Sequence, residues 1–310
     1  MIVSASRRTD IPALYGPWFL NRVRAGSCVV PNPFRPSQQR RISLRPQDVD
    51  AAVFWTKNPR PFFPVLRELE AMGMRSVFLH TLNAYPRALE PGLPSLARRV
   101  EGFKELCGLL GPGRVRWRFD PVLDSSLLEP AALLDAFAAL CRGLAPHTDR
   151  VIVSFLTLYA KVRRRLPAWS REHRAELRDL RERPEDMLGL AADLVGLARE
   201  HGLAVVSCAE SADLGGTGIA PAPCIDLEWL NRALGLDLTG ERDAHQRPAC
   251  LCARAEDIGM YDSCSLGCLY CYAVNDHAAA RSNRSRHDPQ GETLLPVPGG
   301  AIQGSLLDMQ

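Results

Sequence analysis

Cys264, Cys268 and Cys271 stand at the spacing C-x3-C-x2-C, with Tyr270 immediately before the third thiol. Thiolates are soft ligands that favour zinc or iron–sulfur clusters. A structural zinc site takes four ligands, usually as two C-x2-C-type pairs. Three thiols at this spacing instead suit a [4Fe-4S] cluster whose fourth iron stays open to another ligand. The expected chemistry is delivery of one electron to a molecule held at that open iron, with Tyr270 packed beside the cluster.

The chain has ten cysteines. In a reducing compartment clustered cysteines read as metal ligands rather than disulfides. Cys107 and Cys141 lie on apolar helical faces and read as small core residues, as does Cys28. That leaves Cys208, Cys224, Cys250 and Cys252, enough for a second metal centre that is either an auxiliary iron–sulfur cluster or a zinc site. The competing reading is two core cysteines and a C-x-C that shapes a turn.

The elements that must position these groups follow a strand–helix rhythm. Apolar runs at Ile2 to Ala5, Ala51 to Trp55, Ser76 to Leu82, Val115 to Phe119, Val151 to Phe155 and Ala204 to Ser207 read as strands. Between them lie helical patterns at Leu14 to Arg24, Pro61 to Met72, Leu96 to Leu110, Pro130 to Leu144 and Pro184 to His201, several opened by Pro and closed by Gly. The runs are apolar throughout, as strands buried on both faces are. A (β/α)6 partial TIM-type barrel and a doubly wound sheet both fit, and the barrel is the expectation. Residues 28–44 read as an inserted hairpin. The rhythm stops near Ala220, so the expected division is a barrel over residues 1–220, a Cys-rich segment over 221–276 and a disordered polar tail over 277–310. One further helix is expected at Leu227 to Leu234.

In parallel α/β architectures ligands bind beyond the carboxyl ends of the strands. Those ends carry Ser6, Arg7, Arg8 and Asp10, then Lys57 and Asn58, then His80 and Asn83, then Arg118 and Asp120, then Ser154, and finally Cys208 and Glu210. Read together they line one pocket. Read singly, Arg118 pairs with Asp120 or Glu210, and Ser6 and Asp10 cap the next helix. Gly215-Gly216-Thr217-Gly218 reads as a turn.

A net charge of +3 is too mild to argue for a nucleic-acid surface. Arg-rich stretches such as 163–165 alternate with acids elsewhere and read as solvated helical faces. No apolar run approaches the ~20 residues of a membrane span. The first residues form a strand-like run without a charged-then-apolar leader, so the expectation is a cytoplasmic protein with no membrane partner.

The Cys264 to Cys271 spacing resembles the cluster motif of radical S-adenosylmethionine (SAM) enzymes, although there it normally follows the first strand. The chain as a whole resembles the DUF1848 family of bacterial proteins of unknown function, from Ser4 to about Asn275. That resemblance rests on Ser6-Arg-Arg-Thr-Asp-Ile-Pro12, Phe54-Trp-Thr-Lys-Asn-Pro59, Arg118-Phe-Asp-Pro121, Ser207-Cys-Ala-Glu210, Cys250-Leu-Cys252, Asp257-Ile-Gly-Met-Tyr261 and the closing Cys264 to Ala273. Thr56-Lys-Asn-Pro59 and Arg118-Phe-Asp-Pro121 are also similar to segments of spore photoproduct lyase-like radical SAM proteins.

These resemblances imply a barrel whose cluster loop has moved to the C-terminus and folds over the barrel mouth. They imply reductive cleavage of SAM to a 5′-deoxyadenosyl radical, fed by an electron donor such as flavodoxin or ferredoxin. The substrate is unknown, a nucleobase or nucleic acid being one class. In that reading Lys57, Arg7, Arg8 and Arg118 meet carboxylate or phosphate groups, and Asp120 or Glu210 holds a ribose hydroxyl. Ser6, Asp10 and Asn58 complete the cofactor contacts. The alternatives are a zinc-binding interaction module on an inert barrel, and a barrel hydrolase using His80, Asp120 and Glu210 with a structural cluster.

Overall fold

Apolar, β-branched runs become strands, and three of them, β1, β4 and β5 below, are buried at every residue. β1 (Ile2–Ala5) leads into α1 (Ile11–Leu14) and α2 (Gly16–Arg24), then into β2 (Ser27–Pro31) and β3 (Gln38–Ser43). Next come β4 (Ala51–Thr56), α3 (Phe63–Ala71), β5 (Ser76–Thr81), α4 (Leu96–Leu110) and β6 (Val115–Val122). The short β7 (Asp124–Ser125) precedes α5 (Pro130–Leu144), β8 (Arg150–Phe155), α6 (Ala160–His173), β9 (Leu177–Arg178), α7 (Pro184–Arg199) and β10 (Ala204–Ser207). β11 (Ala220–Pro221), α8 (Leu227–Leu234), β12 (Glu256–Asp257), α9 (His277–Ser285) and β13 (Ala301–Gln303) complete the chain. This is a computed structural model, and it describes residues 1–297 and 301–303.

The main sheet is parallel and eight-stranded, in the order β11-β10-β8-β6-β5-β4-β1-β12. Its long strands are neighbours in the order in which the chain makes them. A doubly wound sheet reverses that order at a switch point, and the long strands show none among the described residues. β11 and β12 are its edges, so no closed barrel exists among the described residues. No helix among them is long and apolar enough to cross a membrane.

The chain divides into two compact units, the first comprising residues 1–78, 255–265 and 273–310 and the second residues 79–254 and 266–272. That division cuts across the boundary expected near residue 220. In the first unit Phe54 stacks on Phe78 at 4.8 Å and meets Phe62 at 5.0 Å and Phe19 at 5.2 Å. β2 and β3 form the expected hairpin, with Ser27 opposite Ser43.

The described part of the tail is ordered, against the expectation from its polar composition. Asp276 caps α9. The indole of Trp18 donates to the carbonyl of Gly291 at 2.9 Å, and the amide of Val29 to that of Glu292 at 2.9 Å. Leu294 and Leu295 are buried. Backbone carbonyls do the anchoring here, and composition carries no sign of them. Residues 298–300 and 304–310 of the tail lie outside the described residues.

In the second unit Trp117, Phe119 and Phe137 form the aromatic core, with Trp117 and Phe119 on β6 and Phe137 on α5 at ring separations of 5.3 and 5.0 Å. α8 is fixed by a buried charge. The guanidinium of Arg116 pairs with Asp226 at 2.9 Å and lies 4.3 Å over the ring of Trp229, while Asp226 also caps the helix.

Candidate metal centre

β10 runs out into Cys208, and the turn before α8 carries Cys224. The C-x-C segment brings up Cys252. The sulfurs of these three cysteines lie within 4.8 Å of one another, all in the second unit. Cys250 is a hydrogen-bond partner of the Cys252 sulfur. All four are buried. Three of the four cysteines that the sequence sets apart for a second centre are therefore gathered in one place, with Cys250 next to Cys252 but outside that group. Cys224 and Cys208 are 2.8 Å apart at sulfur, well beyond the about 2.05 Å of a disulfide. The amides of Cys224 and Ile225 donate to the Cys252 sulfur at 3.2 and 3.4 Å.

The cluster concentrates its negative charge on one sulfur. Hydrogen bonds from Cys208, then Cys224 and Cys250, hold the Cys252 thiol far below the ordinary thiol range. Hydrogen bonding to Cys208 and Cys252, together with burial, pushes Cys224 well up. Metal binding to thiols displaces their protons. The other cysteines read as core behave as core. Burial pushes Cys28, Cys107 and Cys141 each up to about 12.

The strand ends of the second unit are polar, and their partners are now visible. Arg118 pairs with Asp120 rather than Glu210, and Ser154 also donates to Asp120. Burial alone would lower the Arg118 guanidinium, but Asp120 and then the thiols of Cys224 and Cys208 hold it firmly charged. Glu210 is an anchor. Its carboxylate takes Arg181 at 2.8 Å and accepts from the amides of Phe155, Ser211 and Ala212 at 2.9, 2.8 and 3.0 Å. Its side chain is 1% exposed.

The segment that carries Cys268 and Cys271 docks on the loop after β5. The amide of Leu269 donates to the carbonyl of Leu89, and that of Gly92 to the carbonyl of Leu266, both at 3.0 Å. Tyr270 donates to Glu90 and accepts from Asn83 at 3.2 Å. Burial, then the Glu90 charge, pushes its phenol well above the ordinary value. Cys268 and Cys271 share one turn, closed by an amide-to-carbonyl bond of 3.1 Å, and Arg165 donates to the carbonyl of Cys271.

In the first unit the polar residues at the end of β1 and just after it organise around Asp257. Its carboxylate accepts from Ser4 at 2.8 Å, Ser6 at 2.9 Å and the Arg7 amide at 2.9 Å, and pairs with Arg8 at 3.1 Å. Burial pushes this carboxyl up, but the Arg8 guanidinium and the Arg7 amide bring it below its ordinary value. Gly259 has to be glycine, because a β-carbon there would stand 1.9 Å from the Ser6 hydroxyl oxygen. Arg7 lies 5.4 Å over the Trp55 ring. Asp10 caps α1 through the Ala13 amide at 3.0 Å and accepts the Lys57 amide at 2.7 Å. The Asn58 amide donates to Thr56 at 3.0 Å. Cys264 belongs to this unit.

Two residues in these networks escaped the sequence reading of the site. Asp257 looked like one residue of a motif. Glu90 gains its meaning from Tyr270, far away in sequence. Only the pairing of buried opposite charges could have pointed to them, and spacing does not reveal it.

Fold and site together define a parallel α/β protein with a buried cysteine cluster able to take a metal ion. The chain belongs to the family described as "Domain of unknown function (DUF1848)", whose model matches residues 2–273. No curated protein and no solved structure matches it.

Proposed function

We propose that this protein is a radical SAM-like enzyme on a (β/α)6 partial barrel, with a [4Fe-4S] cluster held by Cys264, Cys268 and Cys271. The donor set fits such a group, since all three thiols are free of disulfides and soft in character. One observation carries the reading. In the second unit the motif segment 266–272 is tied to the loop after β5, on the side where the strands end in Asn83, Asp120 and Cys208. Ligands of parallel α/β proteins bind at that end.

When bound, the cluster would supply one electron to SAM at its open iron and so open a route to radical chemistry. The chain's own residues then position and shield. Tyr270, held by Glu90 and Asn83, fixes the backbone beside Cys271. Arg118 and Asp120 present a charged pair to polar substituents of a bound nucleoside or substrate. Arg7 and Lys57 are the cations of the first unit proposed to meet carboxylate or phosphate groups. The hydrolase alternative loses ground because Glu210 is wholly engaged and His80 is buried against Phe103.

The test is anaerobic purification followed by iron and sulfide assays. About four irons per chain are expected at the motif, removed by Cys268→Ala. Addition of SAM and a reductant should then release 5′-deoxyadenosine. A colourless protein that takes up no iron and sulfide on anaerobic reconstitution would refute the proposal.

A further inference from the structure

We infer that Cys208, Cys224, Cys250 and Cys252 form a separate centre that holds one tetrahedral zinc ion rather than an iron–sulfur cluster. The inference does not rest on the radical SAM reading, because no residue of the C-x3-C-x2-C motif takes part. Geometry separates the two kinds of centre. With Zn–S bonds of about 2.3 Å, a tetrahedron of sulfurs has edges of about 3.8 Å. Three of these sulfurs lie within 4.8 Å of one another, and Cys208 and Cys224 are already in contact. The thiolates of a cubane cluster sit on different irons and stand farther apart than ligands of a single ion. Cys250 is buried and hydrogen-bonded to the Cys252 sulfur but stands outside the group of three, so it is the cysteine that would move in to supply the fourth ligand of a structural site.

The surroundings are those of a metal-bound thiolate. Two backbone amides point at the Cys252 sulfur, from the turn that carries Cys224 itself. Such donors orient a ligand and spread its charge. A zinc tetrathiolate carries two net negative charges, and the Arg118 guanidinium, which interacts electrostatically with Cys224 and Cys208, would offset part of that.

The ion also has a structural task. Between β10 and β12 the chain has little regular structure, with α8 as its one α-helix. The ligands come from a strand end, a turn before α8 and the C-x-C segment, whose Ala253 amide reaches the Ile225 carbonyl at 3.0 Å. One ion would clasp all three, and its binding energy would contribute directly to the folding of residues 208–254.

The test uses the full chain and two probes, zinc and cobalt(II). Protein grown in zinc-supplemented medium should carry about one zinc per chain. The cobalt form should show the visible d–d bands and near-ultraviolet charge transfer of a tetrahedral tetrathiolate. Cys252→Ser should lower the zinc content roughly tenfold or more, while Cys268→Ala leaves zinc and the cobalt spectrum unchanged. Should Cys252→Ser fail to fold, Cys250→Ser retains three sulfurs, and its cobalt bands should shift to those of a three-sulfur site. Chelation of zinc should speed amide exchange within residues 222–253. The inference is overturned if the motif variant removes the zinc, if Cys250→Ser leaves the cobalt bands unmoved, or if these cysteines hold iron and sulfide instead. A motif that fails to take up iron leaves all of these readouts intact, so this centre and the proposed function fail independently.

Discussion

The phenol of Tyr270 donates a hydrogen bond to the carboxylate of Glu90, 180 positions away in the chain. Glu90 also pairs with Arg99 at 3.2 Å, and both charged side chains are almost fully buried. The residue next to Cys271 is thus tied to an internal ion pair. Tyr270→Phe removes a donor from a buried carboxylate and an acceptor from Asn83. The expected cost is about 1–3 kcal/mol in urea unfolding. Glu90→Gln leaves Arg99 without its countercharge and should cost more, about 3–5 kcal/mol. Equal stabilities for Tyr270→Phe and the parent would show that this bond does not hold the segment.

Gly92 and the motif meet backbone to backbone. A β-carbon on Gly92 would stand 2.4 Å from the carbonyl oxygen of Leu266. The obstacle is main chain, so no rotamer change relieves it. Gly92→Ala should push the 266–272 segment off its seat at about 1–3 kcal/mol. The expected signs are faster amide exchange across the segment and reduced iron uptake. Unchanged exchange would mean that the segment is held elsewhere.

Asp257 gathers the polar groups that follow β1. Asp257→Asn keeps the shape and removes the charge facing Arg8. Thermal or denaturant unfolding at neutral pH should show a loss of about 3 kcal/mol. Because the native carboxyl sits below its ordinary value, its contribution is present above the unfolded value and lost as pH falls through the folded one. The parent and the Asn variant should therefore converge in stability in acid. Parallel pH profiles would contradict the role assigned to the charge.

Much of the fold was legible because its signals are local. α4, α5 and α8 begin and end at Leu96–Leu110, Pro130–Leu144 and Leu227–Leu234, the limits read from apolar spacing and flanking Ser, Pro and Gly. α6 had no such signal. It is rich in Arg, carries Pro167 in its interior and is held by Trp169 donating to the Ala88 carbonyl at 3.0 Å. The two-residue strands β11 and β12 exist because β10 and β1 offer them an edge. The same division applies to the site. Spacing singles out the C-x3-C-x2-C motif, but the grouping of Cys208, Cys224 and Cys252 depends on how distant turns close, which was at most an expectation from residue type. Glu210 looked like a pocket acid because its partner Arg181 lies on another element.

Asp10 gives a pH test of the first unit. It is buried at the start of α1, and burial pushes its carboxyl up to about 6, against the hydrogen bonds it accepts from Lys57 and Ala13. A folded value raised above the unfolded one means that the folded state binds the proton more tightly. Stability from this group is then fully present below pH ~4 and declines as pH rises through about 6, by about 3 kcal/mol at most. Carbon NMR of the labelled carboxyl should give a midpoint near 6. In Asp10→Asn, which cannot ionise, this fall should vanish from the stability profile, although the variant loses baseline stability because its amide sets a donor against a backbone donor. A midpoint at the ordinary aspartate value, or a fall that persists in the Asn variant, would show that the carboxyl is better solvated than its position requires.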